Sequence, residues 1–303
     1  MNLDLVIPTH NRAALLERCL ESVCSAARPR NLNVTVHIID NNSSDNTKEI
    51  VRVFGERTDV AVRYIFVGRP GKSAALNDAL GQTSGELIGF IDDDERVHPE
   101  WFRIIETEFA SSATLDYIGG QCYPDWQSSP PDWMSKKYRG AVGIVLNPKR
   151  VAYSAEFPGM LMGGNSVIRR QVLEKVLPYP ENLGKIGKKI RSGEDEVIYH
   201  RLLALGANGV NVPELIIYHH IPAERLTKRY FRQWVIGRGI STGAQLRERG
   251  FKETGLFGIP RYLFGDAFRS IRTIVRSKSA AERFHAQLSI LDCLSTLYGR
   301  HLY

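Results

Sequence analysis

The chain predicts an α/β fold: a mostly parallel, Rossmann-like sheet flanked by helices, followed by a helical, basic C-terminal extension. Three observations predict it. Short apolar runs rich in β-branched residues alternate with segments whose apolar residues recur at helical spacing through roughly the first 117 residues. That alternation makes right-handed βαβ units, which lay strands side by side in parallel and cover them with the connecting helices. Beyond residue 221 the patterning is helical, and 15 Lys/Arg stand against 6 Asp/Glu.

Each element can be justified in order. Leu3-Asp4-Leu5-Val6-Ile7 reads as a buried strand, and residues 13–23 carry apolar side chains at helical spacing. Val34-Thr35-Val36-His37-Ile38-Ile39 is a second strand. It runs into Asp40-Asn41-Asn42-Ser43-Ser44-Asp45, a turn and cap composition that opens a helix over 47–54. Residues 60–67 give a third strand, 73–80 a short helix and 87–91 a fourth strand. From about residue 118 the pattern is less regular. Residues 123–139, rich in Pro, Trp, Tyr and Ser, read as a long loop lining or covering a site. A loop over 184–193 carrying Lys185, Lys188, Lys189 and Arg191 leads into a helix over 194–205, and 210–218 give one or two short strands. The segments 223–249, 258–275 and 280–298 are helical.

Composition narrows the class. The apolar (43%) and charged (24%) shares are those of a folded soluble protein. No apolar run approaches the roughly 18 residues needed to span a bilayer. The start, Met1-Asn2-Leu3-Asp4-Leu5, shows no basic segment leading into an apolar stretch, so a cytoplasmic location is expected. Cys19, Cys24, Cys122 and Cys293 lack metal-ligand or C-x-x-C spacing and are expected to be reduced and structural. The whole of the +7 net charge lies in the last 83 residues, which suggests a tail that meets an anionic partner.

Strand ends carry the chemistry. In open sheets, ligands bind beyond the carboxyl ends of the strands. Pro8-Thr9-His10-Asn11-Arg12, Asp40 and Asp92-Asp93-Asp94 all follow strands and so converge on one edge. The run Phe90-Ile91-Asp92-Asp93-Asp94-Glu95 crowds carboxylates that raise one another's pKa unless a cation sits among them. Hard carboxylate oxygens suit Mg²⁺ or Mn²⁺, which are usually held by one or two side chains plus substrate phosphates. The alternative is a solvated acidic turn. Gly68-Arg69-Pro70-Gly71-Lys72-Ser73 ends like a P-loop, but Phe66 stands where that motif needs its first glycine, and no G-x-G-x-x-G follows the first strand. A P-loop NTPase and a dinucleotide-dependent oxidoreductase are thereby disfavoured. Lys72 is read as a cation at the mouth of the site or as a solvated loop lysine.

At these residues the chain resembles the family 2 glycosyltransferases of the GT-A fold. The resemblance rests on Val6-Ile7-Pro8-Thr9-His10-Asn11-Arg12, Ile39-Asp40-Asn41-Asn42-Ser43-Ser44-Asp45, Gly71-Lys72-Ser73-Ala74-Ala75-Leu76-Asn77 and Phe90-Ile91-Asp92-Asp93-Asp94. Gly163-Gly164-Asn165-Ser166-Val167-Ile168-Arg169-Arg170 and Gly193-Glu194-Asp195-Glu196 complete it, all in the family's order. It implies a transferase domain over 1–220, with a nucleotide half to about 117 and an acceptor half over 118–220, followed by the basic region 221–303. It implies nucleotide contacts from Pro8, Thr9, Asn11, Asp40, Lys72, Asp92 and Asp93, with Asp94 as metal ligand and Asp195 as catalytic base. Glu194, Gly164 and Asn165 would lie by the donor or acceptor. His219 would complete the metal shell or be an ordinary polar strand end, and His220 shares that position. Trp133, like Trp126 and Tyr138, would stack on a sugar or pack beneath its loop.

The resemblance further implies a Mn²⁺ or Mg²⁺ cofactor and an inverting displacement on a nucleotide-diphosphate sugar, with UDP the leading base. The acceptor would be saccharide or lipid-linked. Processive members carry Q-x-x-R-W and membrane spans; here there is Arg232-Gln233-Trp234 and no span, so single-sugar transfer is expected. The basic helices either lie on an anionic membrane, making the protein peripheral at its cytoplasmic face, or pack on the transferase domain. Two rival classes remain. A sugar-nucleotide nucleotidylyltransferase would show a Gly-rich first loop, which Pro8 to Arg12 does not provide. The other is a non-catalytic protein that binds an anionic partner, such as nucleic acid, through its basic tail; the chain shows no recognised nucleic-acid motif, so no nucleic-acid partner is expected.

Overall fold

The computed structural model describes residues 1–157, 159–183, 193–248, 257 and 260–302. The first half follows the expected alternation: β1 (Asn2–Thr9), α1 (Ala13–Ser25), β2 (Asn33–Asp40), α2 (Thr47–Arg57), β3 (Ala61–Phe66), α3 (Lys72–Leu80) and β4 (Leu87–Phe90). Strand β1 pairs in parallel with β2 and with β4, and β2 in parallel with β3. The register sets Thr9 opposite Asp40 and Val6 opposite Phe90, so the loops after β1, β2 and β4 leave the sheet at one edge.

The rest of the sheet adds antiparallel strands to this parallel half. After β5 (Glu95–Val97) and α4 (Trp101–Ser111) come β6 (Tyr117–Trp126), β7 (Val151–Ala152), β8 (Ser166–Arg169), α5 (Arg170–Val176), α6 (Glu194–Ala204) and β9 (Gly209–Ile221). The strand order is β3-β2-β1-β4-β8-β6-β9-β5, with β7 beside β9. Here β8 runs antiparallel to β4 and β6, and β5 and β7 antiparallel to β9. A parallel pair needs a long crossover, usually a helix. Strands β1 to β4 are each joined by one, whereas this half lacks such regular crossovers, and the sheet is mixed.

Alternation along the strands explains how both faces are covered. Leu3, Leu5 and Ile7 of β1 pack with Leu16, Cys19, Leu20 and Val23 of α1 and with Trp101, Phe102 and Ile105 of α4. Val6 and Ile88 face the other way, onto Ala75, Leu76 and Ala79 of α3, Val172 and Leu173 of α5, and Ile198 and Leu202 of α6. Each fully buried aliphatic side chain contributes about 1.5–3 kcal/mol. Small alanines in α3 bring that helix close to the sheet and fix its first residue, Lys72, at the strand-end edge.

The described chain divides into two compact units. Of the described residues, the first holds those within 1–125, 144–182 and 194–220, and the second holds 126–143, 183, 193 and those from 221 onward. In the second, α7 (Lys228–Glu248), α8 (Arg261–Arg276) and α9 (Ala280–His301) follow a short 3₁₀ turn at Ala223–Leu226, and another 3₁₀ helix spans Lys136–Val142. Trp133 stands edge-on to Phe231 and Phe284, each at 5.0 Å between ring centroids. The expected basic loop residues Lys185, Lys188, Lys189 and Arg191 lie outside the described residues.

Candidate active site

The site is assembled within the first unit, where β1, β2 and β4 end. A small cleft there is lined by Pro8, Lys72, Phe90, Asp92, Tyr179 and Asp195. Lys72 Nζ donates to Asp92 Oδ1 at 2.6 Å. Burial works against its charge, but Asp92, Asp195 and Glu194 outweigh that and hold the ammonium well above the ordinary lysine range. Asp92 keeps a third of its side chain exposed (34%) and so faces the cleft.

The next two acids turn inward. Asp93 Oδ2 accepts from Thr9 Oγ1 at 2.8 Å, and its Oδ1 from Arg12 Nη1 at 2.7 Å. The same Arg12 nitrogen donates to Asp94 Oδ2 at 2.9 Å. Thr9 and Asp93, both expected at the nucleotide, are therefore turned toward each other and buried. Burial pushes Asp93 up to about 6 against the pull of Arg12. His219 Nε2 stands 3.6 Å from Asp94 Oδ2.

The glycine pair has a clear steric reason. A Cβ on Gly163 would sit 2.2 Å from Asp195 Oδ2, and one on Gly164 2.3 Å from Glu95 Oε2. Only glycine lets those carboxylates lie against the chain. The Gly163 backbone lies against Asp195 and favours its charged form, and Glu95 Oε2 accepts from the Asp92 N–H at 2.7 Å. Asp195 and Glu194 open the first turn of α6. Burial raises Asp195 above the usual aspartate range while Lys72 restrains the rise. Burial and the neighbouring Asp195 charge push Glu194 up to about 7.

Other expected residues hold the frame. Asp40 Oδ1 accepts from the Ser43 N–H at 2.8 Å and Oδ2 from Tyr64 Oη at 2.6 Å, so the carboxylate closes its own turn. Asn11, at φ 51°, accepts on Oδ1 from the Ser44 N–H at 2.7 Å and binds the loop after β1 to that after β2. Asn165 is wholly buried: Oδ1 accepts from Trp101 Nε1 at 2.9 Å, and Nδ2 donates to the carbonyls of Gln121 and Leu215 at 3.0 and 2.9 Å. Its amide, expected beside the donor or acceptor, is occupied by protein groups. Trp133 belongs to the second unit.

Sequence reasoning passed over four contributors. Arg12 was quoted without a role, although an arginine beside an acidic run signals a pair. Glu95 was visible as the fourth acid of that run. Asn41 fixes the loop before α3, donating to the Arg69 carbonyl at 2.5 Å and accepting from the Gly71 N–H at 2.8 Å. Tyr179 comes from a stretch with no local signal; Asn77 pins its backbone from α3, donating to its carbonyl at 3.0 Å and accepting from its N–H at 2.8 Å.

Whether these residues suit a divalent ion can be judged from charge. Six buried or half-buried acids (Asp92, Asp93, Asp94, Glu95, Glu194, Asp195) face two full cations, Arg12 and Lys72. Asp93, Glu95, Glu194 and Asp195 all bind protons more tightly than usual, chiefly through burial. Positive charge is therefore short. Among the described residues no three His, Cys, Asp or Glu form a ready cage. The donors fit an ion that draws part of its shell from water and phosphate.

A mixed α/β sheet with helices on both faces and an acid-rich strand edge is the GT-A glycosyltransferase architecture, and solved structures show the same fold. The mannosyltransferase PcManGT of Pyrobaculum calidifontis, in complex with GDP-Man and Mn²⁺, matches 98% of this chain and 86% of its own at a TM-score of 0.62 and 17% identity. S. aureus TarS 1–349 with UDP matches 99% and 90% at 0.56 and 16%. The Glycosyl transferase family 2 model matches residues 4–177, and the chain belongs to that family. Glycosyltransferase AglE of Haloferax volcanii is 28% identical over 59% of this chain and 56% of its own length. The succinoglycan biosynthesis protein ExoM of Rhizobium meliloti is 23% identical over 77% and 72%. The chain thus spans little more than half of AglE. No helix among the described residues is long and apolar enough to cross a membrane.

Proposed function

We propose that this chain is an inverting, metal-dependent glycosyltransferase. It moves a single sugar from a nucleotide-diphosphate sugar to a hydroxyl of a saccharide or lipid-linked acceptor, in polysaccharide or glycolipid biosynthesis at the cytoplasmic face of a membrane. The observation that carries the reading is the cleft in which the half-buried Asp195 carboxylate, lying against the Gly163 backbone, shares one pocket with Lys72 and Asp92. Family membership and the words attached to relatives support it: succinoglycan biosynthesis for ExoM, and a GalNAc(5)-diNAcBac-PP-undecaprenol β-1,3-glucosyltransferase of Campylobacter jejuni, 33% identical over 31% of this chain.

In this reading the acceptor oxygen attacks the anomeric carbon as the bond from that carbon to the diphosphate oxygen breaks, and the bonding pair leaves with the diphosphate. Asp195 takes the hydroxyl proton, for which its raised proton affinity suits it. Lys72 holds the ribose or phosphate side of the donor. Asp94 and His219 would hold Mn²⁺ or Mg²⁺ with Asp92 adjacent, and the ion when bound offsets charge on the departing diphosphate. UDP is the first base to test, since neighbours hold both UDP and GDP-Man.

Calorimetry and thermal-shift measurements with UDP, GDP, dTDP, CMP and their sugars, each with and without Mn²⁺, test this. One diphosphate nucleotide is expected to bind in a metal-dependent way, and Asp94→Ala to weaken that binding. A folded sample indifferent to every nucleotide would overturn the reading.

A further inference from the structure

Helix α8 of the second unit carries more apolar surface than its own unit covers. With about 3.6 residues per turn, Leu263, Ala267, Ser270 and Ile274 share one face. Of these, Leu263 and Ala267 pack with Cys293 and Leu297 of α9 and Leu246 of α7. The apolar arc does not stop there. Phe264, Phe268, Ile271 and Val275 follow at spacings of four, three and four and form the adjoining stripe. Phe268 is 75% exposed, Ile271 55% and Val275 79%. A helix that served only to close its own core would be polar along that stripe.

Next to the stripe on its far side stand Arg261, Arg272, Arg276 and Arg269 in angular order around the helix. Arg269 pairs with Asp266, while Arg261, Arg272 and Arg276 make no ion pair among the described residues. An exposed aromatic and aliphatic stripe edged by unpaired arginines suits an anionic bilayer surface. The apolar side chains enter the acyl boundary, and the guanidinium groups meet lipid phosphates. A protein partner would need an acidic rim around a complementary apolar groove. The lipid surface supplies both features without a specific shape. The surrounding chain, 15 Lys/Arg against 6 Asp/Glu from residue 221 on, adds long-range attraction of the same sign.

We infer that α8 is an in-plane membrane-binding helix that docks on anionic lipid through Phe268, Ile271 and Val275, with Arg272 and Arg276 at the headgroups. The inference gives the membrane-face reading above a named surface, and its test reads binding rather than sugar transfer. Flotation of the full chain with vesicles of equal parts phosphatidylglycerol and phosphatidylcholine is compared with phosphatidylcholine alone. The wild type is expected to float with the anionic vesicles. F268S/V275S and R272Q/R276Q are each expected to bind about tenfold more weakly or worse, with circular dichroism unchanged. Tyr262→Ser, exposed on the polar side of α8, serves as the control and should bind like the wild type. Wild type indifferent to anionic vesicles, or both double variants binding as wild type, overturns the inference. So does a wild-type dimer that F268S/V275S dissolves, which assigns the stripe to a second copy. Nucleotide binding, measured without vesicles, reports separately on the transferase reading.

Discussion

Asp195 and Gly163 make the sharpest claims at the scale of single residues. Asp195→Asn keeps shape but cannot accept a proton, so turnover is expected to fall by about 10²–10⁴-fold while nucleotide and Mn²⁺ affinity stay near wild type. Loss of binding in step with turnover would remove Asp195 from the role of base. Gly163→Ala leaves the carboxylate chemistry intact but places a methyl 2.2 Å from Asp195 Oδ2. The carboxylate must shift, and a displacement of that order costs about 100-fold in turnover; single-turnover kinetics with saturating donor would show it, and an unchanged rate would mean the base has room to spare. The sequence marked Asp195 and both glycines, but not that they touch. Contact between residues 163 and 195 comes from the turn before β8 meeting the first turn of α6, which no local pattern encodes. For the same reason Thr9 and Asp93 read as nucleotide contacts, whereas the structure turns them toward each other.

At the scale of elements, the alternating half of the sheet was legible because each strand there is a compact apolar run with a helix behind it. Strand β5 has three residues, and β8 has four with arginine at its end; neither carries a period long enough to see. Strand β9 was expected as one or two short strands because Pro213 and Glu214 interrupt its apolar run, yet it is continuous from Gly209 to Ile221. What joins this half is Asn165, at φ 141°, which links Trp101 of α4, Gln121 of β6 and Leu215 of β9. Asn165→Ala leaves a buried indole N–H and two carbonyls short of partners and is expected to cost about 3 kcal/mol. A fall of several degrees in melting temperature, with α/β circular dichroism retained, would be the sign; an unchanged melting temperature would show that the polar bridge is dispensable. Asp4 was hidden in another way. It sits inside an apolar strand, buried, accepting from the backbone of Ser84 and Gly85 at 2.6 Å each and paired with His37 at 2.9 Å.

For the whole molecule, the acid cluster links stability to pH. Asp93 is raised from 3.8 to about 6 and Glu194 from 4.5 to about 7, so in the folded chain both hold protons that the unfolded chain has released. Their contribution is complete below about pH 4 and is lost as pH rises through 6 to 7. Without ligands, Glu194→Gln should therefore melt higher than wild type at pH 7.5 and like it at pH 4, as read by scanning calorimetry. Equal melting temperatures at both values would remove Glu194 from the strained set. By mass action, Mn²⁺ with the preferred nucleotide should stabilise the wild type more at pH 7.5 than at pH 5.5, because at the lower pH protons on Asp93 and Glu194 already offset part of the negative charge that attracts the ion. The concentration of positive charge after residue 221 was plain in the sequence. The grouping of residues 126–143 with those helices was not, since it depends on Trp133 meeting Phe231 and Phe284 across long stretches of chain.

The mooring of Asp195 on the Gly163 backbone bears on how such an enzyme can change its substrate. The carboxylate proposed as proton acceptor rests against the turn at 163–165 that runs into β8, a strand paired on both sides within the sheet. A redesign of the proposed acceptor side therefore has to leave the turn at 163–165 untouched, because a side chain at 163 would displace Asp195.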